Sequence, residues 1–289
     1  MMLHMEYSLP KNMTVLEALH KMYPDSSKRT LKNWLGLGRF TIDGSPLDRG
    51  NISLVKGQIL RSMQTFKPPK IPGIKILYED RFMILIDKPI GLLSVPLDEP
   101  DGKNDALTLL RKTFGTDQIF AVHRIDRETS GILLFARGKE SEKAFDQLFE
   151  KHDIQREYFA IVEGRLKENK GTWQCPLLEL PSFRVIHSPD GKMAITHFEV
   201  IRRSNKYTYL KLHLETGKKH QIRVHAQMAS HPILGDARYG SSENPIKRLC
   251  LHACKLGFKH PFTNKYMEFC SVLPNSFLAL GGRGGSKGL

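Results

Sequence analysis

The sequence predicts an α+β protein in which a small basic module precedes a larger, sheet-rich domain. Three observations carry this. Capped, amphipathic helix patterns occupy residues 14–36. Beyond residue 76 the pattern turns to strands, with buried runs at Ile84-Leu85-Ile86 and Ile132–Phe135. Leu210, Leu212 and Leu214 alternate there with Tyr209, Lys211 and His213. Between the two regions, Pro68, Pro69 and Pro72 lie among lysines, the composition of a stiff linker.

The first module spans residues 1–65. Thr14 with Glu17 three residues on is a capping-box pattern, and Leu16, Leu19 and Tyr23 form the stripe of the helix it opens. Ser26 and Ser27 can cap a second helix, whose apolar face is Leu31, Trp34 and Leu35. Lys28 and Lys32 share the opposite face. The run Gly38–Gly44 reads as helix stop, strand and turn, and Val55–Leu60 as a short closing strand. Residues 66–75 form the linker. The second domain, 76–280, opens with a strand, an acidic turn and a strand over Ile76–Pro89, then turns sharply at Lys88-Pro89-Ile90-Gly91. Pro96–Asp105 is loop-like, and Ala106–Phe114 and Ser141–Glu150 are helical. Arg156–Gly164 is a strand, and Met193–Arg203 pairs with Tyr207–Glu215 as a hairpin. The tail 281–289 has almost no apolar content and is expected to be disordered.

The 289 residues are 40% hydrophobic, enough for a sizeable core. Lys and Arg number 44 against 30 Asp and Glu, a net charge of +14. An excess of that size favours a polyanionic partner, nucleic acid before membrane. Cys175, Cys250, Cys254 and Cys270 lack the second close pair that a tetrahedral metal site needs, so no metal is expected. Reduced thiols suit a cytoplasmic protein. No apolar stretch is long enough to span a bilayer, and the N-terminus has no continuous apolar signal region. Gly-rich dinucleotide and P-loop fingerprints are absent, as is a deaminase zinc set, so no cofactor is expected.

The chemistry concentrates in Phe120–Arg137, where an apolar start breaks into His123, Arg124, Asp126, Arg127, Glu128, Thr129 and Ser130 before Gly131 and a buried strand. Asp126 stands between two arginines, and neighbouring cations favour the ionised carboxylate, a nucleophile or general base. A helix cap or a surface ion pair is the structural reading of the same residues.

His123-Arg124-Ile125-Asp126-Arg127-Glu128-Thr129-Ser130-Gly131-Ile132-Leu133-Leu134 resembles the HRLDRxTSGLLL signature of the RluA-type pseudouridine synthases. Asp87-Lys88-Pro89-Ile90-Gly91 resembles that family's first motif. Arg156-Glu157-Tyr158 resembles its K-x-Y motif, with Arg for Lys. Thr216-Gly217-Lys218-Lys219-His220-Gln221-Ile222-Arg223 resembles T-G-R-x-H-Q-I-R, with Lys218 for Arg, and His231–Asp236 resembles its H-P-I-x-G-D element. Lys218 keeps the charge but loses the fork of an arginine.

The resemblance, over Ile76 to Pro274, implies a mixed, mainly antiparallel β-sheet core with flanking helices and a basic cleft. It implies isomerisation of uridine in RNA to pseudouridine with no cofactor. Asp126 is then the catalytic carboxylate, Arg223 its pairing cation, and Tyr158 an aromatic against the target base. Arg124 would fill the space the base vacates, with Lys218, Lys219 and His220 in the RNA-binding segment. Residues 1–65 resemble an S4 RNA-binding domain, which implies an RNA role for Lys28, Lys32 and Arg39 and leans toward ribosomal over transfer RNA. The expected protein is a monomer. The alternative is a non-catalytic RNA-binding or ribosome-assembly factor on the same fold.

Overall fold

A computed structural model describes residues 6–24, 26–36, 39–47, 49–62, 71, 73–96 and 105–280. Most of the expected linker, the greater part of the Pro96–Asp105 loop and the tail lie outside the described residues. Two compact units emerge, one within Met1–Pro72 and Leu107–Ile119, the other within Gly73–Ala106 and Phe120–Leu289.

The first unit contains β1 (Glu6–Ser8), β2 (Met13–Thr14), α1 (Val15–Met22), α2 (Lys28–Gly36), β3 (Phe40–Ile42), β4 (Ser45–Leu47), β5 (Ser53–Leu54), β6 (Ile59–Ser62) and α3 (Ala106–Phe114). The capping box forms: the Thr14 hydroxyl accepts from the Glu17 amide, and the Glu17 carboxylate accepts from the Thr14 amide at 2.7 Å. Ser27 caps α2 through the Thr30 amide. Strands run in the order β1-β6-β3-β4, and Leu19, Leu31, Phe40 and Leu60 are at the centre of the core. The expected closing strand Val55–Leu60 begins only at Ile59, because Lys56-Gly57 forms a turn with Gly57 at φ +90°.

The linear division puts Leu107–Ile119 in the second domain, but this segment clusters with the first unit. Contacts among the described residues hold it there. The Thr30 hydroxyl donates to the Gly115 carbonyl at 3.2 Å, and the Arg39 guanidinium lies 5.7 Å from the Phe114 ring centre.

The second unit contains β7 (Lys75–Glu79), β8 (Met83–Lys88), β9 (Ile119–Ala121), β10 (Ser130–Arg137), α4 (Lys139–Glu150), β11 (Ile154–Glu163), β12 (Lys170–Glu179), β13 (Val185–His187), β14 (Lys192–Arg203), β15 (Tyr207–Leu214), α5 (Gln221–Met228), β16 (Leu251–Lys259), β17 (Tyr266–Cys270) and α6 (Asn275–Ala279). The eleven strands form one sheet in the order β13-β12-β14-β15-β11-β16-β10-β8-β7, with β17 added to β16 and β9 to β10. The fold is α+β with a mixed, mainly antiparallel sheet, as expected.

The parallel pairing is between β10 and β16, and it is two residues long: Ser130 opposite His252 and Gly131 opposite Ala253. The two halves of the sheet therefore meet on a short ladder at the start of β10. One core packs around Ile161, Leu210 and Phe277 on the β11–β15 half. A second packs around Leu85, Leu134 and Phe145 on the β8–β10 half. Gly131 makes the junction possible. Its φ is +115°, and a Cβ there would lie 2.2 Å from the Ala253 carbonyl oxygen. Gly131→Ala is expected to destabilise the fold by roughly 2–5 kcal/mol, from backbone strain plus overpacking. Urea denaturation of the variant checks this, and an unchanged midpoint would refute it.

Candidate active site

The short ladder leaves a cleft of 480 Å³. Val122–Asp126 and Thr129 line one side, Arg156 and Tyr158 of β11 the floor, and Lys218 with His220–Arg223 the far wall. The loop carrying Asp126 is held rigidly. The Ser94 hydroxyl donates to the Ile125 carbonyl at 2.7 Å and accepts from the Ile125 amide at 3.1 Å. The Thr129 amide closes a turn on the Asp126 carbonyl. Gly91 and Arg127 exchange two hydrogen bonds.

Lys88 is fully buried beneath this loop. Its ammonium donates to the carbonyls of Leu92 at 2.7 Å, Pro89 at 3.1 Å and Arg127 at 3.4 Å. Burial pushes its pKa down to about 8, against the pull of Asp126 and Glu128. The turn Lys88–Gly91 is thus a fastening for the loop.

In the sequence the cations beside Asp126 are Arg124 and Arg127. In the structure both are exposed, and among the described residues Asp126 faces Arg223 and the ring of His220. Arg223 Nη1 reaches Asp126 Oδ2 at 3.4 Å and Glu128 Oε2 at 3.3 Å. The rest of the fork is occupied: Nε donates to Asp236 Oδ2 at 2.7 Å and Nη2 to Asp236 Oδ1 at 2.8 Å. The Asp236 side chain is completely buried. Burial alone would lower the Arg223 pKa, but the hydrogen bonds and charge of Asp236, with Asp126 and Glu128, raise it, so the guanidinium stays charged.

Gln221 fixes the start of α5. Its carbonyl oxygen accepts from the Thr216 hydroxyl and the Lys218 amide, and its amide nitrogen donates to the Ile195 carbonyl and the Thr196 hydroxyl. His220 precedes it in the left-handed region, at φ +52°. Its Nδ1 lies 2.7 Å from the Tyr239 hydroxyl, which accepts from the Val185 amide. The ring's other nitrogen, Nε2, faces Asp126 Oδ1 at 4.0 Å. Burial holds His220 below its ordinary pKa despite Asp126, so the ring is neutral at pH 7.

Tyr158 sits at a β-bulge between Glu157 and Tyr158. A bulge re-aims the side chain it carries. Burial raises its phenol to about 12, with Arg156 opposing and Asp126 adding. It is a neutral phenol across the physiological range.

His123 accepts from the Leu134 amide at 2.9 Å through Nε2 and stacks on Phe149 with ring centres 4.5 Å apart. Burial, then the charge of Arg156, pushes it down to about 3.

The structure thus brings Asp126, Arg223, Tyr158, Arg124, Lys218 and His220 to one cleft. Lys219 is engaged elsewhere, with Glu179 and over the Phe183 ring. In the first unit, Lys28 and Lys32 are exposed, while Arg39 packs on Trp34 at 5.0 Å as well as on Phe114. Asp236 and Tyr239 carry contacts in the site to which the sequence reading assigned no role. The signal for the first was its place in the quoted H-P-I-x-G-D element.

Residues 82–228 match the family described as RNA pseudouridylate synthase. Ribosomal large subunit pseudouridine synthase D of Vibrio vulnificus is 32% identical over 289 residues, covering 91% of this chain and 88% of that protein. Dual-specificity RNA pseudouridine synthase RluA of Pasteurella multocida is 36% identical over 211 residues, covering 71% and 95%. The solved structure of human RNA Pseudouridylate Synthase Domain Containing 1 shares the fold, with a TM-score of 0.60 at 22% identity over 72% of this chain and 86% of that one. The family match and these relatives define the class: an isomerase that works on RNA. The chain belongs to the RNA pseudouridine synthase family, in its RluA-type branch.

A buried imidazole near the cleft sets an acid limit. His225 on α5 bonds Thr196 through Nδ1 at 2.9 Å, and burial lowers its pKa to about 4 from an ordinary 6.5. The unfolded chain then binds the proton more readily. The stabilisation is whole above pH 6.5 and is lost as the pH falls through 4, by up to about 3 kcal/mol. The Tm of His225→Leu is expected to fall less steeply than the parent's between pH 7 and pH 4. Parallel curves would rule His225 out as the titrating group.

Proposed function

We propose that this protein isomerises specific uridines of RNA, ribosomal RNA foremost, to pseudouridine, with Asp126 as the catalytic carboxylate. The observation that carries this reading is the Asp126–Arg223 pair in the cleft, with the rest of the arginine fork closed by Asp236. A charged guanidinium with one nitrogen left to offer aims a carboxylate through a charge-assisted hydrogen bond.

In the reaction the N1–C1′ bond breaks, the uracil turns, and a C5–C1′ bond forms. The C5 proton leaves to water and N1 gains one, so composition is unchanged. Asp126 acts either by attack on C1′ or C6, or by removing the C2′ proton to give a glycal. Tyr158 offers an aromatic face to the uracil, worth about 1–3 kcal/mol. The uridine leaves its stack at a cost of a few kcal/mol, and the planar guanidinium of exposed Arg124 fills its place.

Lys218 and the neutral, hydrogen-bonding His220 line the RNA path, with Lys219 beside it. The first unit is the S4-like RNA-binding domain, which presents Lys28 and Lys32 from α2. Arg39 supports that unit from within, through its aromatic contacts. Ribosomal RNA is favoured by this unit and by the name of the Vibrio vulnificus relative. The protein works as a monomer in the cytoplasm.

Release of tritium from [5-³H]uridine-labelled ribosomal and transfer RNA tests the reading. Asp126→Asn is expected to lower release by more than about 10³-fold with RNA affinity within about twofold. Normal turnover in that variant would sink the assignment. No release by the parent, with salt-sensitive binding intact, would favour the non-catalytic RNA-binding factor.

Arg223→Ala is expected to lower kcat at least about 100-fold and RNA affinity far less. Arg223→Lys, which keeps the charge without the fork, serves as the milder companion. Equal losses in kcat and affinity would make Arg223 a phosphate contact.

A further inference from the structure

We propose that the tip of the hairpin between β12 and β13 is a stacking platform for an unpaired RNA base flanking the target uridine, with Phe183 as the platform. The inference rests on the reading of this protein as an RNA-modifying enzyme. Phe183 is 67% exposed, the most exposed aromatic among the described residues. A lone surface apolar residue needs no explanation. This one is held out by its backbone, at φ +59°, a region bulky side chains rarely adopt. The turn is closed by two hydrogen bonds, from the Phe183 amide to the Leu180 carbonyl and from the Leu180 amide to the Arg184 carbonyl, both 2.8 Å. The ring is therefore presented on a fixed tip.

The surroundings select the occupant. The Lys219 ammonium lies 5.0 Å from the ring centre and is oriented by an ion pair with Glu179 on the same hairpin. Arg184 beside it is exposed. An aromatic face with one cation against it and an exposed arginine next in the chain fits a nucleobase with its flanking phosphates, since stacking accepts any base and the cations meet the backbone.

The tip is also tied to the cleft. Lys219 stands between Lys218 and His220, both of which line it. Two residues beyond Phe183, the Val185 amide donates at 3.1 Å to the Tyr239 hydroxyl that bonds His220. Two residues span at most roughly 7 Å. A base held on Phe183 is thereby registered against the wall that faces Asp126.

The test compares the parent with Phe183→Ala, Phe183→Leu and Phe183→Trp. All are exposed substitutions, and the thermal unfolding of each is checked. Tritium release from [5-³H]uridine-labelled ribosomal RNA gives the half-saturating RNA concentration and the plateau rate, and filter retention of the same RNA gives the affinity. Phe183→Ala is expected to raise the half-saturating concentration and the Kd roughly 5- to 100-fold, with the plateau rate within about twofold. Phe183→Trp is expected to match or improve on the parent, and Phe183→Leu to behave like Phe183→Ala.

An unchanged Kd in Phe183→Ala would overturn the platform. So would full recovery in Phe183→Leu, which would mean simple apolar contact. A change in sedimentation of the protein alone, without a change in RNA binding, would overturn it in favour of contact with a second copy. Absence of tritium release in the parent would instead be a failure of the enzymatic reading, and the filter-retention series would still decide the platform.

Discussion

The buried fork between Arg223 and Asp236 is the contact on which the site depends. Two charges taken from water gain little net stability from each other, and an apolar pair of the same volume could replace them. Removing one partner is another matter, at about 3–5 kcal/mol, because the survivor is left buried and charged. What the fork supplies is direction. With Nε and Nη2 committed to Asp236, Nη1 faces Asp126 and Glu128. The same Asp236 caps the turn Ala237–Tyr239, whose tyrosine orients His220 toward Asp126 from the other side. One carboxylate thus organises both groups that meet the carboxylate assigned to the chemistry.

Opposite this wall, the Asp126 loop is made rigid by backbone contacts more than by side-chain charge. Lys88 gathers three carbonyls, Ser94 holds both polar groups of Ile125, and Gly131 lets β10 approach β16 closely. The sheet contributes by being weakly joined there. Two paired residues hold β10 to β16, so the mouth of a cleft opens at the point where the loop must stand.

Much of this was legible in the sequence. The strand runs, the capping box and the long polar motif name the fold class, the first helix and Asp126 without any coordinates. Their meeting was not legible, because Arg223 is 97 residues from Asp126 and no local pattern encodes the contact. Cations were the hardest to read. A lysine or arginine in a sequence does not declare its partner, so Arg39 and Lys219 look like free basic residues until Trp34, Phe114, Phe183 and Glu179 are seen against them. The fastening role of Lys88 is equally hidden, because a sequence does not show which carbonyls converge on an ammonium. The strand β12 carries few buried side chains, and its mostly polar face gave little periodic signal.

The excursion of Leu107–Ile119 into the first unit bears on how this chain could have been assembled or dismantled. The second unit is discontinuous in the chain, and its halves are joined through a segment that belongs to its neighbour. A fragment beginning after the proline stretch would keep α3 but lose Thr30 and Arg39, which meet Gly115 and Phe114. Such a cut separates α3 from the unit it folds with, so a boundary drawn from linear order alone falls in the wrong place.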